Sequence, residues 1–250
     1  MIRIENLSCA YSDKEIISHL DLTVEEGSLC AVLGPNGCGK STLIKCISRL
    51  ITPSSGSISL AGKTLQDYSA RSLAQQISVV MQQTTTDLEF SAFEIVLMGR
   101  NPYQKWLQNE SERDWKIVEE CMRMTHTWQL RFAKPQEMSG GELQRVMIAR
   151  ALAQQTPVML LDEPTSNLDI AHQLEIMQLL HDINANEHKT ILIVVHDMNL
   201  AYHYCSELLL LKEGRALYHG SMHEGLTPER ITEAFGVSAE IYENNIFFRK

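Results

Sequence analysis

The chain has 250 residues, with 22 Lys and Arg against 31 Asp and Glu, which gives a formal net charge of −9. Its 44% hydrophobic and 21% charged residues are typical of a globular protein that can bury a sizeable core. The acidic balance argues against a protein that works on nucleic acid, because phosphate neutralisation needs a basic surface.

The cysteines and the apolar runs both bear on the compartment in which the protein works. The 6 cysteines stand singly, without the paired spacing of a zinc or redox motif, and we expect most of them to be buried in a reducing cytosol. The first residues alternate between apolar and polar instead of forming an apolar leader. Runs such as residues 158–161 and 191–195 are too short to cross a bilayer. We therefore expect a cytosolic protein, or one peripheral to a membrane that it cannot cross.

The N-terminal third reads as β structure that leads into an α/β core. Residues 2–5 and 20–24 alternate between apolar and polar, as half-buried strands do. Residues 29–33 are apolar without alternation, which is typical of a strand covered on both faces. Residues 40–50 have helical spacing, and residues 58–60 alternate again.

The middle of the chain, from about residue 84 to 155, has a mostly helical pattern with breaks at Pro102 and Pro135. The elements predicted after it are a strand at 158–161, a helix at 171–185, a strand at 191–195, and a hairpin at 208–218. A polar helical tail is predicted to follow the hairpin.

A phosphate-binding loop is predicted between the strand at 29–33 and the helix that follows. It fits the pattern G-x-x-x-x-G-K-[ST] in the strand–loop–helix context that confirms this motif. Its glycines let backbone N–H groups surround an anion, and the helix N-terminus adds partial positive charge. Lys40 is predicted to reach the β- and γ-phosphates, Ser41 to ligate Mg²⁺, and Thr42 to help hold the phosphates. This phosphate loop consists of Gly34, Pro35, Asn36, Gly37, Cys38, Gly39, Lys40, Ser41 and Thr42.

Two carboxylates end the apolar run at 158–161. A parallel strand buried on both faces would deliver Asp162 and Glu163 to the carboxyl edge of the sheet, beside the phosphate loop. Asp162 is the expected partner of Mg²⁺, through water, and Glu163 is the candidate to polarise the attacking water. The two motifs together predict hydrolysis of a nucleoside triphosphate.

Further motifs give the chain a resemblance to a known family. Residues 138–142 read Met-Ser-Gly-Gly-Glu, residues 166–169 read Ser-Asn-Leu-Asp, Gln82 follows one apolar run and His196 follows another. With the phosphate loop and the paired carboxylates, these motifs resemble the nucleotide-binding subunit of ABC transporters over nearly the whole chain. Residues 138–142 are similar to that family's signature, usually LSGGQ, and residues 166–169 to its D-loop. Tyr11 matches the aromatic residue that stacks on adenine.

The resemblance implies a dimer in which two copies sandwich two ATP molecules head to tail. Each γ-phosphate would meet the signature of the other copy, and Asp169 of the D-loop would also reach across the dimer. Gln82 would link Mg²⁺ to a helical subdomain, and His196 would contact the γ-phosphate and orient water. The signature residues predicted to act in trans are Ser139, Gly140, Gly141 and Glu142.

Some of these residues also have an ordinary structural interpretation. Ser139 and Glu142 have the spacing of a helix capping box, in which the glutamate reaches back to the cap N–H. Asp169 has the place of a residue that starts the following helix, and Tyr11 would be a core or turn aromatic in most sequences. Met138 in place of leucine conserves side-chain volume.

The expected architecture is α/β: a P-loop NTPase core of the ABC ATPase type, with an N-terminal antiparallel β subdomain and an inserted α-helical signature subdomain. We expect one domain over residues 1–250. Within it, residues 1–83 and 156–211 would form the β subdomain and nucleotide-binding core, residues 84–155 the helical subdomain, and residues 212–250 a hairpin and helical tail.

The resemblance narrows further to the ATPases of importers for iron siderophores, haem and vitamin B12, through residues 73–82, 98–103 and the tail at 226–237. It implies ATP and Mg²⁺ as cofactors, and no nucleic acid. The implied partners are a second copy of the chain, two permease subunits or a permease dimer, and indirectly a substrate-binding protein. The implied location is cytoplasmic, peripheral on the inner face of the cell membrane. A soluble ABC ATPase of iron–sulphur cluster assembly is the alternative.

Two further hypotheses concern single segments. Gln82 and residues 98–103 are expected to share one cleft that receives a short helix of the permease, with Arg100 offering donors and Tyr103 a flat contact. Bulky modification of the Cys38 thiol, inside the phosphate loop, is expected to block the nucleotide.

Overall fold

The computed structural model describes residues 1–11, 14–82, 89–104 and 110–249. The strands in this part of the chain are β1 (Ile2–Tyr11), β2 (Lys14–Val24), β3 (Leu29–Leu33), β4 (Ser55–Leu60), β5 (Lys63–Thr64), β6 (Ile77–Val80), β7 (Val158–Asp162), β8 (Thr190–Val194), β9 (Glu207–Lys212), β10 (Arg215–Ser221), β11 (Ser238–Tyr242) and β12 (Asn245–Arg249). The helices are α1 (Lys40–Ile47), α2 (Ala70–Ala74), α3 (Ala92–Leu97), α4 (Glu112–Met124), α5 (Gly140–Ala153), α6 (Ile170–Glu187), α7 (Met198–Tyr204), α8 (Met222–Gly225) and α9 (Pro228–Phe235).

The central sheet has the strand order β10-β9-β3-β8-β7-β6. Strands β9, β3, β8, β7 and β6 run parallel, and β10 is an antiparallel edge strand. Every residue of β3, β7 and β8 is buried, because helices or the second sheet cover both faces of these strands. This confirms the prediction, made from the unbroken apolar runs, that these strands are covered on both faces. The carboxyl ends of β3, β8, β7 and β6 lie side by side at one edge of the sheet.

A second, antiparallel sheet has the order β2-β1-β4-β5. Its apolar residues alternate along the strands and share one core with the inner face of α1. This confirms the N-terminal β subdomain, and it explains the alternation of residues 2–5 and 20–24, since one face of the sheet is buried. Helix α1 begins at Lys40 as predicted but ends at Ile47, three residues before the predicted end.

The middle of the chain is helical where it is described. Helices α3, α4 and α5 pack on one another, and Pro102 and Pro135 lie in 3₁₀ turns between them, as breaks in the helical pattern predict. The predicted subdomain boundary between residues 83 and 84 lies outside the described residues. Across the described parts of the chain, no helix combines the length and the apolar character that crossing a membrane requires.

The C-terminal region departs from its prediction. It is helical in α8 and α9, but β11 and β12 then pair as an antiparallel hairpin, so the helical tail is wrong for residues 238–249. Asn199 in α7 holds this hairpin: its Nδ2 donates to the Ile246 carbonyl at 3.2 Å, and its Oδ1 accepts the Ile246 N–H at 2.7 Å. The hairpin is thereby fastened to the helix that follows β8.

Candidate active site

The phosphate loop leaves the carboxyl end of β3 and turns sharply because of its glycines. Gly34 has φ 152° and lies so close to β9 that a Cβ there would be 2.3 Å from the Leu211 carbonyl oxygen. Gly39 has φ 109° and directly precedes α1. A side chain at either position would strain or displace the backbone, so the loop geometry depends on these glycines.

Lys40 is 5% exposed, and its ammonium group contacts the backbone of the phosphate loop. Nζ donates to the carbonyl oxygens of Gly34 at 2.8 Å and Pro35 at 3.0 Å. Both of these partners are neutral carbonyls, and the charged oxygens of a phosphate would bind the buried ammonium group more strongly than they do.

Ser41 and Asp162 meet across the gap between α1 and β7. The Ser41 hydroxyl donates to Asp162 Oδ1 at 2.9 Å. Burial raises the pKa of Asp162, and the neighbouring Glu163 carboxylate raises it further, whereas the Ser41 hydrogen bond lowers it. A cation at this position would offset the cost of burying the carboxylate, since it favours the charged form.

Glu163 has an uncommon backbone conformation, with φ 52°. Ser166 holds it there: the Ser166 N–H and hydroxyl both donate to the Glu163 carbonyl, at 3.1 and 2.9 Å. A glutamate in the left-handed region is strained, and such strain occurs often at functional sites. The role of Ser166 in this turn was not predicted from the sequence.

The Glu163 carboxylate lies between two side chains from neighbouring strands. Gln82, just beyond β6, donates its Nε2 hydrogen to Glu163 Oε2 at 2.5 Å. His196, just beyond β8, places Nε2 2.7 Å from Glu163 Oε1. Because β6, β7 and β8 are consecutive in the sheet, their ends bring these three residues together, although they are distant in the sequence.

A cavity of 230 Å³ opens at this point of the sheet edge. It is lined by Ile16, Asn36, Gly37, Gly39, Lys40, Ser41, Thr42 and Glu163. The general-base candidate therefore faces the same space as the phosphate loop. The predicted signature residues are not among the described residues that line it.

The predicted signature stands at the start of α5, where it forms the capping box. The Ser139 hydroxyl accepts the Glu142 N–H, and Glu142 Oε2 accepts the Ser139 N–H at 2.8 Å. The Ser139 N–H and hydroxyl both donate to the Glu142 carboxylate, and these two hydrogen bonds lower its pKa. The structural interpretation of Glu142 is thus correct in this structure. At the helix N-terminus, Ser139 and Gly140 are exposed and Gly141 is buried.

The D-loop packs directly against the signature. A Cβ at Gly140 would lie 3.3 Å from Leu168 Cδ2, and one at Gly141 would lie 2.5 Å from Cδ2 of the His172 ring. Asp169 caps α6 by accepting the His172 N–H, as its helix-start interpretation predicts. The contact with His172 was not predicted, since the sequence places it 31 positions from Gly141.

The remaining predicted site residues are Tyr11 and Cys38. The Tyr11 side chain lies outside the part of the chain that the structure describes. Cys38 is only 5% exposed, and burial raises the pKa of its thiol, so its modification in the folded protein is disfavoured.

Arg100 does not offer donors to a partner, which corrects the docking hypothesis for this residue. It is 4% exposed; Nε pairs with Asp114 at 2.9 Å, and Nη1 donates to the Ala153 carbonyl at 2.7 Å and to Gln155 Oε1 at 3.0 Å. Its guanidinium stacks on Tyr103, whose hydroxyl donates to the Gln154 carbonyl. Both side chains therefore hold the 3₁₀ segment (Met98–Tyr103) against the end of α5.

The phosphate loop and the Glu163 carboxylate line one cavity, an arrangement that suits ATP hydrolysis. The fold and the site thus define a P-loop ATPase. Residues 17–166, more than half of the chain, match the family model described as ABC transporter. The chain belongs to this family, as an ATP-binding ATPase subunit.

Similar proteins cover almost the whole chain. A probable siderophore transport system ATP-binding protein of Bacillus subtilis, YusV, is 35% identical over 246 residues, which are 98% of this chain and 90% of the relative. A structure of a putative metal-chelate type ABC transporter in an inward-facing conformation matches with a TM-score of 0.85 and 28% identity, over 99% of this chain and 95% of the other. A dimeric post-hydrolysis structure of the cassette MJ0796 with ADP and phosphate matches with a TM-score of 0.78 and 30% identity, over 89% and 99%.

Proposed function

We propose that this chain hydrolyses ATP to power an importer of a metal chelate, such as a ferric siderophore, haem or cobalamin complex. The observation that carries the proposal is the placement of Glu163, held by Gln82 and His196, on the same cavity as Lys40. Siderophore transport in the name of the relative and metal-chelate transport in that of the solved structure favour import over the iron–sulphur assembly alternative.

In the proposed reaction, water attacks the γ-phosphorus and Glu163 takes its proton, leaving ADP and phosphate. Lys40 exchanges its carbonyl partners for phosphate oxygens, and the loop N–H groups hold the rest of the phosphate chain. His196, with its side chain 46% exposed, is accessible to the γ-phosphate. The Gln82 hydrogen bond and the nearby His196 ring orient the Glu163 carboxylate so that it can receive the proton.

The residues present fit a magnesium ion. Ser41 and Asp162 supply oxygen atoms of the kind that Mg²⁺ prefers, and the Gln82 amide oxygen is the further group that could ligate it. When bound, the ion would neutralise charge on the β- and γ-phosphates. A buried carboxylate whose pKa is raised by burial is itself stabilised by such a cation.

The proposal includes a head-to-tail dimer of two copies, in which the N-terminus of α5 completes the partner's nucleotide site. Ser139, Gly140 and Gly141 open that helix, and such a helix end attracts anions. The dimeric state of MJ0796 with ADP and phosphate is consistent with this assembly. The permease subunits and a binding protein would supply the path and the cargo, with this chain on the cytoplasmic face of the membrane.

The decisive experiment replaces Glu163 by glutamine. The amide keeps the shape of the side chain but cannot take a proton, so steady-state ATP hydrolysis is expected to fall at least about a hundredfold. ATP binding should remain, and size-exclusion chromatography with Mg-ATP should show a dimer, because the closed state is no longer opened by hydrolysis. Glu224→Gln, at an exposed position of α8, is the matched control and should hydrolyse normally. Normal hydrolysis by Glu163→Gln, or a monomer with ATP, would contradict the proposal.

A further inference from the structure

The imidazole of His172 lies between the signature and the D-loop, beside the contact of Leu168 with Gly140. The side chain of His172, in the first turn of α6, is 34% exposed. Its Cδ2 lies 2.5 Å from where a Cβ of Gly141 would be, and its Cγ lies 2.9 Å away. The ring therefore fills the space that any side chain at Gly141 would need.

Asp169 holds this ring in place. Both carboxylate oxygens lie 2.9 Å from His172 Nδ1, and one of them also accepts the His172 N–H at 3.0 Å. Gln173 stabilises the preceding turn, since its Nε2 donates to the carbonyls of Thr165 at 3.2 Å and Leu168 at 3.1 Å. Asp169 of the D-loop thus sets the orientation of the imidazole, and the ring in turn contacts Gly141 of α5.

Besides His172, Leu168 contacts the start of α5 at Gly140. Farther along the two helices, Arg145 pairs with Glu175 at 2.8 Å, and the Glu175 side chain is 58% exposed. This pair lines a cleft of 680 Å³ between α6 and the end of α4. The ring of His172 is the part of α6 that meets Gly141, in the first turn of α5.

We propose that His172 is a positioning residue for the dimer: held by Asp169, it fixes the Gly141 turn so that the signature can receive the γ-phosphate bound by the partner copy. Gly141 must then be a glycine because of His172, and not only because of the nucleotide. This inference rests on the proposed function, since it needs the head-to-tail dimer. It assigns His172 no contact with ATP in its own subunit.

The test measures ATP-dependent dimerisation by analytical ultracentrifugation, in the hydrolysis-deficient Glu163→Gln background. His172→Ala is expected to raise the dimer dissociation constant about tenfold, as loss of a contact between coupled residues does. The affinity of the monomer for a fluorescent ATP analogue, and the thermal unfolding midpoint, should stay unchanged. His181→Ala, an exposed histidine on the same helix, is the matched control and should dimerise as the background does.

A second comparison separates positioning from general packing. Gly141→Ala should prevent dimerisation, because its methyl group would overlap the imidazole. Adding His172→Ala removes that overlap, so the same substitution that weakens the background dimer should strengthen the Gly141→Ala dimer. If His172→Ala has no effect in the background, or if the two Gly141→Ala proteins behave alike, the inference is wrong while the proposed function stands. If Glu163→Gln alone stays monomeric with ATP, the proposed dimer and this inference both fail.

Discussion

The substitution Arg100→Ala tests how strongly the buried guanidinium holds the 3₁₀ segment to the core. It would leave Asp114, whose side chain is 13% exposed, without its cation, and would leave the Ala153 carbonyl and Gln155 Oε1 without their donor. Removing one partner of a buried ion pair costs about 3–5 kcal/mol. Asp114 keeps its hydrogen bonds from Ser111, so we expect the lower end, about 3 kcal/mol.

Urea unfolding followed by tryptophan fluorescence measures this loss, because Trp115 is next to Asp114 in α4. Arg123→Ala is the matched control: its pair with Glu119 has side chains 58% and 41% exposed, and its loss should cost no more than about 0.5 kcal/mol. A loss for Arg100→Ala as small as that for Arg123→Ala would refute the reasoning. Asp114→Asn should restore part of the stability in the Arg100→Ala background, because it removes the uncompensated charge.

The same pair predicts a dependence on pH. Burial alone would raise the pKa of Asp114, but hydrogen bonds from Ser111 and Arg100 outweigh it and hold the pKa below its usual 3.8. A carboxylate with a lowered folded pKa stabilises the fold above its unfolded pKa, and this stabilisation disappears as the pH falls through the folded pKa. The difference in stability between the wild type and Arg100→Ala should therefore be full at neutral pH and shrink below about pH 4.

Three further outcomes test the nucleotide site. Lys40→Ala should weaken binding of a fluorescent ATP analogue at least about tenfold, because it removes a cation that pairs with phosphate. Ser139→Arg should keep that binding but lose ATP-dependent dimerisation in the Glu163→Gln background; loss of binding in both variants would contradict a trans role for Ser139. Cys38, buried and with a raised thiol pKa, should react with a maleimide far more slowly in the native protein than in urea. Rapid native labelling of Cys38, mapped by mass spectrometry, would be inconsistent with its burial.

The phosphate loop and the paired carboxylates could be predicted because their chemistry is local. Strand β3, the glycine-rich turn and helix α1 follow one another within residues 29–47. The glycines of the turn mark positions where the backbone conformation is constrained. Gln82 and His196 needed the family resemblance, since only the order of β6, β7 and β8 brings them to Glu163.

Arg100 and His172 show what local patterns do not contain. The partners of Arg100 lie 14, 53 and 55 positions away, and an arginine after a helix reads equally well as a surface donor. The C-terminal hairpin escaped prediction for another reason. Its turn has positive φ at Glu243 and Asn244, at 47° and 60°, whereas such turns are usually signalled by Asn-Gly or Asp-Gly.

The two hydrogen bonds between Asn199 and Ile246 connect the C-terminal hairpin to the segment that carries His196, the histidine proposed to contact the γ-phosphate. Asp197, which caps α7, directly follows His196, and Asn199 sits in the first turn of the same helix. The hairpin therefore stabilises the segment that carries the His196 imidazole. Deletion of residues 238–249 would remove the hydrogen bonds that join Asn199 of α7 to Ile246. The rate of ATP hydrolysis, and not solubility alone, should therefore be measured for such shortened variants.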